Sequence, residues 1–162
     1  MTATEKMEVK LDKEIASFLK KSKIDLRSKQ ITYESFLENK MLIIVAIRAG
    51  IPYSLFDIIQ NYTPFSENDW ANFLDISTKS LQRYRSSPEH HFKPIHSEKI
   101  IEIAEVTKVG LEVFGDIEKL KLWLDTPCYA IGKLKPIELL KDSYGKEMVI
   151  SELHRISHGI LV

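Results

Sequence analysis

The sequence predicts an all-α protein. Apolar residues recur at three- and four-residue intervals through most of the chain, which is the period of a helix with one face in a core. Six glycines and six prolines are few for 162 residues, and most of them fall between the periodic segments. No segment combines the two-residue alternation and the turn dipeptide that mark a hairpin.

Residues 5–21 carry Val9, Leu11, Ile15, Phe18 and Leu19 among lysines and acids, an amphipathic pattern. A second helix is expected over 33–49, ended by Gly50, and a short one over 53–61, before the break at Pro64. Ser66 is a good N-cap with Asp69 three residues on, the layout of a capping box, and opens a helix to about Leu74. Ser77 caps a helix over 78–86, which Ser86, Ser87 and Pro88 stop. After Pro94, Ser97 is expected to open a longer helix to about Phe114. Asp116 caps 117–124, and Thr126 and Pro127 end that helix. Pro136 suits a first helical turn, where its missing N–H costs nothing. A last helix spans about 144–157, with Gly159 just beyond it.

Lys and Arg together equal Asp and Glu, 23 of each, so bulk charge does not mark a nucleic-acid-coating protein. The charge is uneven along the chain. Residues 31–77 set Lys40 and Arg48 against six acids, whereas 78–99 set Lys79, Arg83, Arg85, Lys93 and Lys99 against Glu89 and Glu98, with three histidines besides. A basic segment in a neutral chain points to one local anionic partner. The single cysteine, Cys128, excludes an internal disulfide framework. The longest apolar run, 41–47, is too short to span a bilayer, and the start lacks a signal-peptide core, so a cytoplasmic protein is expected.

Residues 67–86 fit a helix-turn-helix. Trp70, Leu74, Ile76, Leu81 and Tyr84 fall at its packing positions, and Ala71 where only a small side chain fits. Thr78, Lys79, Gln82, Arg83 and Arg85 are then the candidate DNA contacts. In this motif the second helix enters the major groove. Gln82 and Arg83 have forked groups that read adenine and guanine edges, and Lys79 and Arg85 suit phosphates. Asp75 stands where the turn usually has glycine and brings a negative charge near the phosphates.

The last third holds three blocks in order: F-G-D-x-E-K-x-x-x-W-L-x-T-P at 114–127, L-x-P-x-x-L-L at 134–140, and G-x-E-x-V-x-x-x-L-x-R-I-x-H-G at 145–159. Phe114, Leu120, Trp123 and Leu124, then Leu134, Ile137, Leu139 and Leu140, then Met148, Val149, Leu153 and Ile156 read as three apolar faces of a small core. The blocks resemble the C-terminal toxin-binding domain of the Xre/MbcA/ParS-type antitoxins, partners of RES-domain toxins in bacterial type II toxin–antitoxin pairs. A looser resemblance to that family's helix-turn-helix region extends upstream. The resemblance implies an Xre-like helix-turn-helix domain over 31–110 and a helical toxin-binding domain over 111–162, behind an amphipathic N-terminal segment, 1–30, ordered or flexible.

It further implies an antitoxin that neutralises an NAD-consuming RES toxin by occluding its active site with the C-terminal region, and that binds operator DNA to regulate its own operon. A homodimer and a higher-order toxin–antitoxin complex are the expected assemblies. Carried over position by position, the implicated toxin contacts are Trp123, Pro127, Arg155, Gly159 and the apolar tail Ile160, Leu161 and Val162. Two other readings stay open: a transcriptional regulator with no toxin partner, and a pure inhibitor with a degenerate DNA motif. No nucleotide-binding glycine motif, C-x-x-C pair or nucleophile with an obvious base is present, so no enzymatic activity is expected. His154 and His158 have chelating spacing but no completing ligand, so no metal or other cofactor is expected.

Overall fold

Side-chain caps set most of the helix starts. The structure, a computed structural model, describes residues 2–24 and 30–159. Among them the helices are α1 (Ala3–Lys21), α2 (Tyr33–Leu37), α3 (Lys40–Ala49), α4 (Tyr53–Tyr62), α5 (Glu67–Leu74), α6 (Thr78–Arg85), α7 (Pro94–Phe114), α8 (Ile117–Leu124) and α9 (Ser143–Ser157), with short 3-10 turns at Tyr129–Ile131 and Pro136–Leu139. No strand forms among the described residues, and the protein is all-α as expected. No described helix is long and apolar enough to cross a membrane. Thr2 with Glu5 and Ser66 with Asp69 form reciprocal capping boxes, while Ser77 and Asp116 each accept one N–H of the first turn.

Two expectations need correction. The single helix expected over 33–49 is two, because the Asn39 side chain accepts the Leu42 N–H at 3.1 Å and turns the backbone out of the helix between α2 and α3. Ser97 does not open α7; the helix starts at Pro94, whose ring fits a first turn. Ser97 is instead fully buried, its Oγ accepting the Ile51 N–H at 2.9 Å and donating to the Phe92 carbonyl at 3.2 Å.

The chain divides into two compact units, residues 1–62 with 76–101 and residues 63–75 with 102–162. In the first, α1 buries Leu11, Ile15, Phe18 and Leu19 and packs on α2 and α4. Its acids hold the same neighbours: Asp12 accepts the Tyr33 N–H at 2.8 Å, Glu14 the Ser54 hydroxyl at 2.8 Å and Glu8 the Tyr62 hydroxyl at 3.2 Å. Burial, and then Glu8, push the Tyr62 phenol up to about 12. Tyr53, Phe56 and Phe92 form an aromatic cluster in this unit. Gly50 ends α3 at φ +87, where a Cβ would meet the Phe92 carbonyl oxygen.

In the second unit Trp70 meets Phe65 and Phe73 edge-on and donates its indole N–H to Thr63 at 3.2 Å. Leu120, Leu124, Ile131, Leu140, Val149 and Leu153 are buried, and α9 packs on both 3-10 turns. Two polar contacts tie α9 to α7: the Ser143 hydroxyl donates to Glu102 at 3.0 Å, and Lys146 pairs with Glu105 at 3.6 Å. Burial raises the Glu105 pKa, and the Lys146 ammonium opposes that rise. Gly145 is buried where a Cβ would overlap the Leu139 carbonyl oxygen. Gly145→Ala is therefore expected to cost about 1–3 kcal/mol by overpacking a backbone contact. A thermal melt of the variant checks this.

Candidate functional site

Two surfaces carry the residues singled out from the sequence. The first is the outer face of α6. Leu81 is fully buried and Tyr84 half-buried, which fixes the helix by one side. Lys79, Gln82 and Arg83 lie at three- and four-residue spacing on the exposed side, and Thr78 is half-buried at the first turn. Arg85 is exposed, and its Nε donates to the Tyr53 hydroxyl at 3.5 Å. The Arg83 guanidinium lies 5.6 Å from the Tyr84 ring centre. Of the positions assigned to helix–helix packing, Trp70, Ala71, Leu74 and Leu81 are buried, while Ile76 and Tyr84 are half-buried.

Tyr84 is held from outside as well. The His90 ring stacks on it at 3.7 Å with the planes 9° apart. Burial first, then His91, Arg83 and His96, lower the His90 pKa below the ordinary histidine value, so at neutral pH the stacked ring is uncharged. A folded-state pKa below the unfolded one makes a contribution that is full above the ordinary value near 6.5 and lost as pH falls through it. The melting temperature is expected to fall between pH 7 and pH 5, and His90→Phe, which keeps the stack, is expected to lessen that fall.

Asp75, the residue in glycine's usual place, caps α5 in the left-handed region at φ 55 and ψ 45. Its carboxylate lies 3.6 Å from Lys141. Both groups are well exposed, so the pair adds little stability, but it offsets the local negative charge.

The second surface belongs to the second unit. An open groove of about 440 Å³ runs along α9 beside the first 3-10 turn, lined among others by Ala130, Ile131, Tyr144, Met148, Ser151 and Arg155. Two exposed side chains with large apolar surface stand on its lining, Tyr144 at 84% and Met148 at 47% exposed, with Tyr129 at 80% and Leu134 at 44% elsewhere on the same unit. Met148 and Leu134, expected in the core, are thus corrected to surface positions. On α9, Gly145, Val149 and Leu153 are buried, while Tyr144, Glu147, Met148, Ser151 and Arg155 line the groove together with the largely buried Glu152. Arg155 Nη1 lies 3.3 Å from the buried carboxylate of Glu152.

The remaining candidates sit elsewhere on this unit. Trp123 is half-buried with its ring 5.8 Å from Phe114, Pro127 is exposed, and Gly159 is exposed at φ +71. Ile160, Leu161 and Val162 lie outside the described residues. His158 Nδ1 is 2.6 Å from the His154 carbonyl oxygen. Tyr129 and Tyr144 went unnoticed in the sequence because neither belongs to a periodic apolar stripe.

Residues 43–105 match the antitoxin Xre-like helix-turn-helix domain, and residues 110–159 match the antitoxin Xre/MbcA/ParS C-terminal toxin-binding domain. The chain belongs to the Xre/MbcA/ParS antitoxin family. An Antitoxin Xre of Photorhabdus laumondii subsp. laumondii is 28% identical over 116 residues, covering 71% of this chain and 78% of the relative. A solved structure of the Mycobacterium tuberculosis MbcT–MbcA toxin–antitoxin complex contains a similar chain, 19% identical, at a TM-score of 0.46 over 76% of this chain and 99% of that one. The groove on α9 lies wholly within the segment matched to the toxin-binding domain of this antitoxin family, and α6 within the segment matched to its helix-turn-helix.

Proposed function

We propose that this antitoxin neutralises an NAD-consuming RES-type toxin through the surface of residues 111–162, and represses its own operon by setting α6, within residues 31–110, into operator DNA. The observation that carries the toxin half is the open groove lined by exposed Tyr144 and Met148 and by Arg155 inside the toxin-binding segment. Exposed aromatics and an arginine beside a pocket are the usual composition of an interface hot spot. The inhibition needs binding alone and no catalytic group of the antitoxin. Trp123 and Pro127 would flank the docking surface. Gly159 would let the chain turn off α9 so that Ile160, Leu161 and Val162 reach the toxin's active-site cleft, where each aliphatic side chain buried is worth roughly 1.5–3 kcal/mol.

Support for the DNA half is the exposed row of Lys79, Gln82 and Arg83, with Thr78 at the first turn and Arg85 beside it. The operator-binding unit would be a homodimer, since a helix-turn-helix commonly reads two half-sites about a two-fold axis, and toxin bound to each copy would give the higher-order complex. Arg83→Ala and Gln82→Ala are each expected to weaken operator binding by about 1–3 kcal/mol and relax base preference. Lys79→Ala is expected to weaken all sequences alike and flatten the salt dependence. Titration of labelled promoter fragments by fluorescence anisotropy, with and without the toxin, measures these effects. A protein that shifts no fragment of its own promoter in either condition would be a pure inhibitor with a degenerate motif.

A further inference from the structure

We propose that His90 is a positioning residue for DNA reading, acting through Tyr84 to hold the Arg83 guanidinium ready for a base edge. The inference rests on the operator-reading role of α6, and it assigns part of that role to the loop that follows the helix. Arg83 is exposed on α6, and a long exposed side chain loses rotamer freedom when it binds. A two-pronged hydrogen bond to guanine also needs the guanidinium plane aligned with the base. A contact that fixes Arg83 before DNA arrives therefore favours the right base edge in particular.

The neighbouring ring supplies that hold. The Arg83 guanidinium carbon lies 5.6 Å from the Tyr84 ring centre, within the range over which a cation is drawn to an aromatic face. Tyr84 is half-buried, and two side chains outside α6 fix its ring. His90 stacks on it at 3.7 Å with the planes 9° apart, and Phe92 meets it edge-on at 5.7 Å. Phe92 is almost fully buried and belongs to the core, whereas His90 is half-buried. The His90 backbone is tied at both ends: its N–H donates to the Ser87 carbonyl at 2.8 Å, and its carbonyl accepts the Tyr53 N–H at 2.8 Å. The next two residues are tied as well, His91 by Nδ1 at 2.9 Å from the Gly50 carbonyl oxygen and Phe92 by its N–H to the Ile51 carbonyl at 2.8 Å. The His90 ring is thus presented from an anchored loop. At neutral pH it is uncharged, so it gives Tyr84 an aromatic face without setting a second cation beside Arg83.

Fluorescence anisotropy of the full chain tests this on a labelled fragment of its own promoter and on an unrelated duplex of equal length, with circular dichroism to confirm folding. His90→Ala is expected to lose about fivefold on the promoter, the scale of one exposed cation–π contact, and to leave the unrelated duplex unchanged. His90→Phe, which keeps a stacking ring, is expected to bind both as the wild type does. His90→Leu keeps bulk without the ring; it is expected to lose what His90→Ala loses, and it serves where the alanine variant does not fold. In an Arg83→Ala background, His90→Ala is expected to cost nothing further, because its effect passes through Arg83. Equal losses on the two duplexes, promoter preference that survives both His90→Ala and His90→Leu, or losses that add in the Arg83→Ala background overturn the proposal. Wild-type protein with no preference for its promoter overturns the operator reading and this proposal with it, a failure distinct from those three.

Discussion

Met148→Glu combined with Tyr144→Ala is expected to abolish neutralisation of the toxin while leaving helix content and promoter binding intact. Tyr144 is 84% exposed and Met148 about half exposed in the free protein, so replacing them removes little from the fold. In the complex the loss is larger. Truncating a buried aromatic anchor costs about 2 kcal/mol or more, and burying a further carboxylate in a groove that already holds Glu147 and Glu152 adds a cost of similar size. Together these correspond to roughly a thousandfold in affinity. Ser151→Lys, on the same lining, would test the groove without touching either apolar anchor. Calorimetric titration of the toxin into each purified variant reads the effect, and survival of toxin-expressing cells reports its consequence.

Removal of Ile160, Leu161 and Val162 is expected to have an effect of the same order by a different route. The three follow Gly159, which lies beyond the last helical turn. If they fill the toxin's cleft, their loss withdraws several kcal/mol from the complex alone, at least a hundredfold in affinity. Toxin held by the groove but not plugged would then be bound and still active, a distinction that paired binding and activity assays resolve. Full rescue of toxin-poisoned cells by the truncated protein would show that the tail is not the inhibitory element.

Local chemistry made much of the fold legible. The Ser66 and Asp69 capping box, the Ser77 cap and the Asp116 cap are interactions three residues apart, and each is found as expected. Asp75, placed from the sequence where the turn usually has glycine, takes the left-handed conformation that glycine ordinarily supplies there. Long-range contacts were not legible. Ser97 looks like a cap because serine often is one, but its partner Ile51 lies 46 residues away. The break at Asn39 was hidden by an apolar period that runs through it. On α9 the difficulty was of another kind. Met148 adjoins the buried stripe of Val149 and Leu153, and hydrophobicity alone does not separate a face that meets its own core from a face left open for a partner. Gly145 shows the same limit: its need for close approach to Leu139 appears only once α9 and the second 3-10 turn are in place.

The toxin-docking role of the second unit is tested most directly by hydrogen exchange of the full chain, alone and saturated with the toxin. Docking through the groove predicts new protection over the Tyr129–Ile131 turn and along α9 from Tyr144 to Arg155, with the exposed face of α6 unchanged. Protection confined to α6 or to α3, with α9 exchanging as in the free protein, would contradict it.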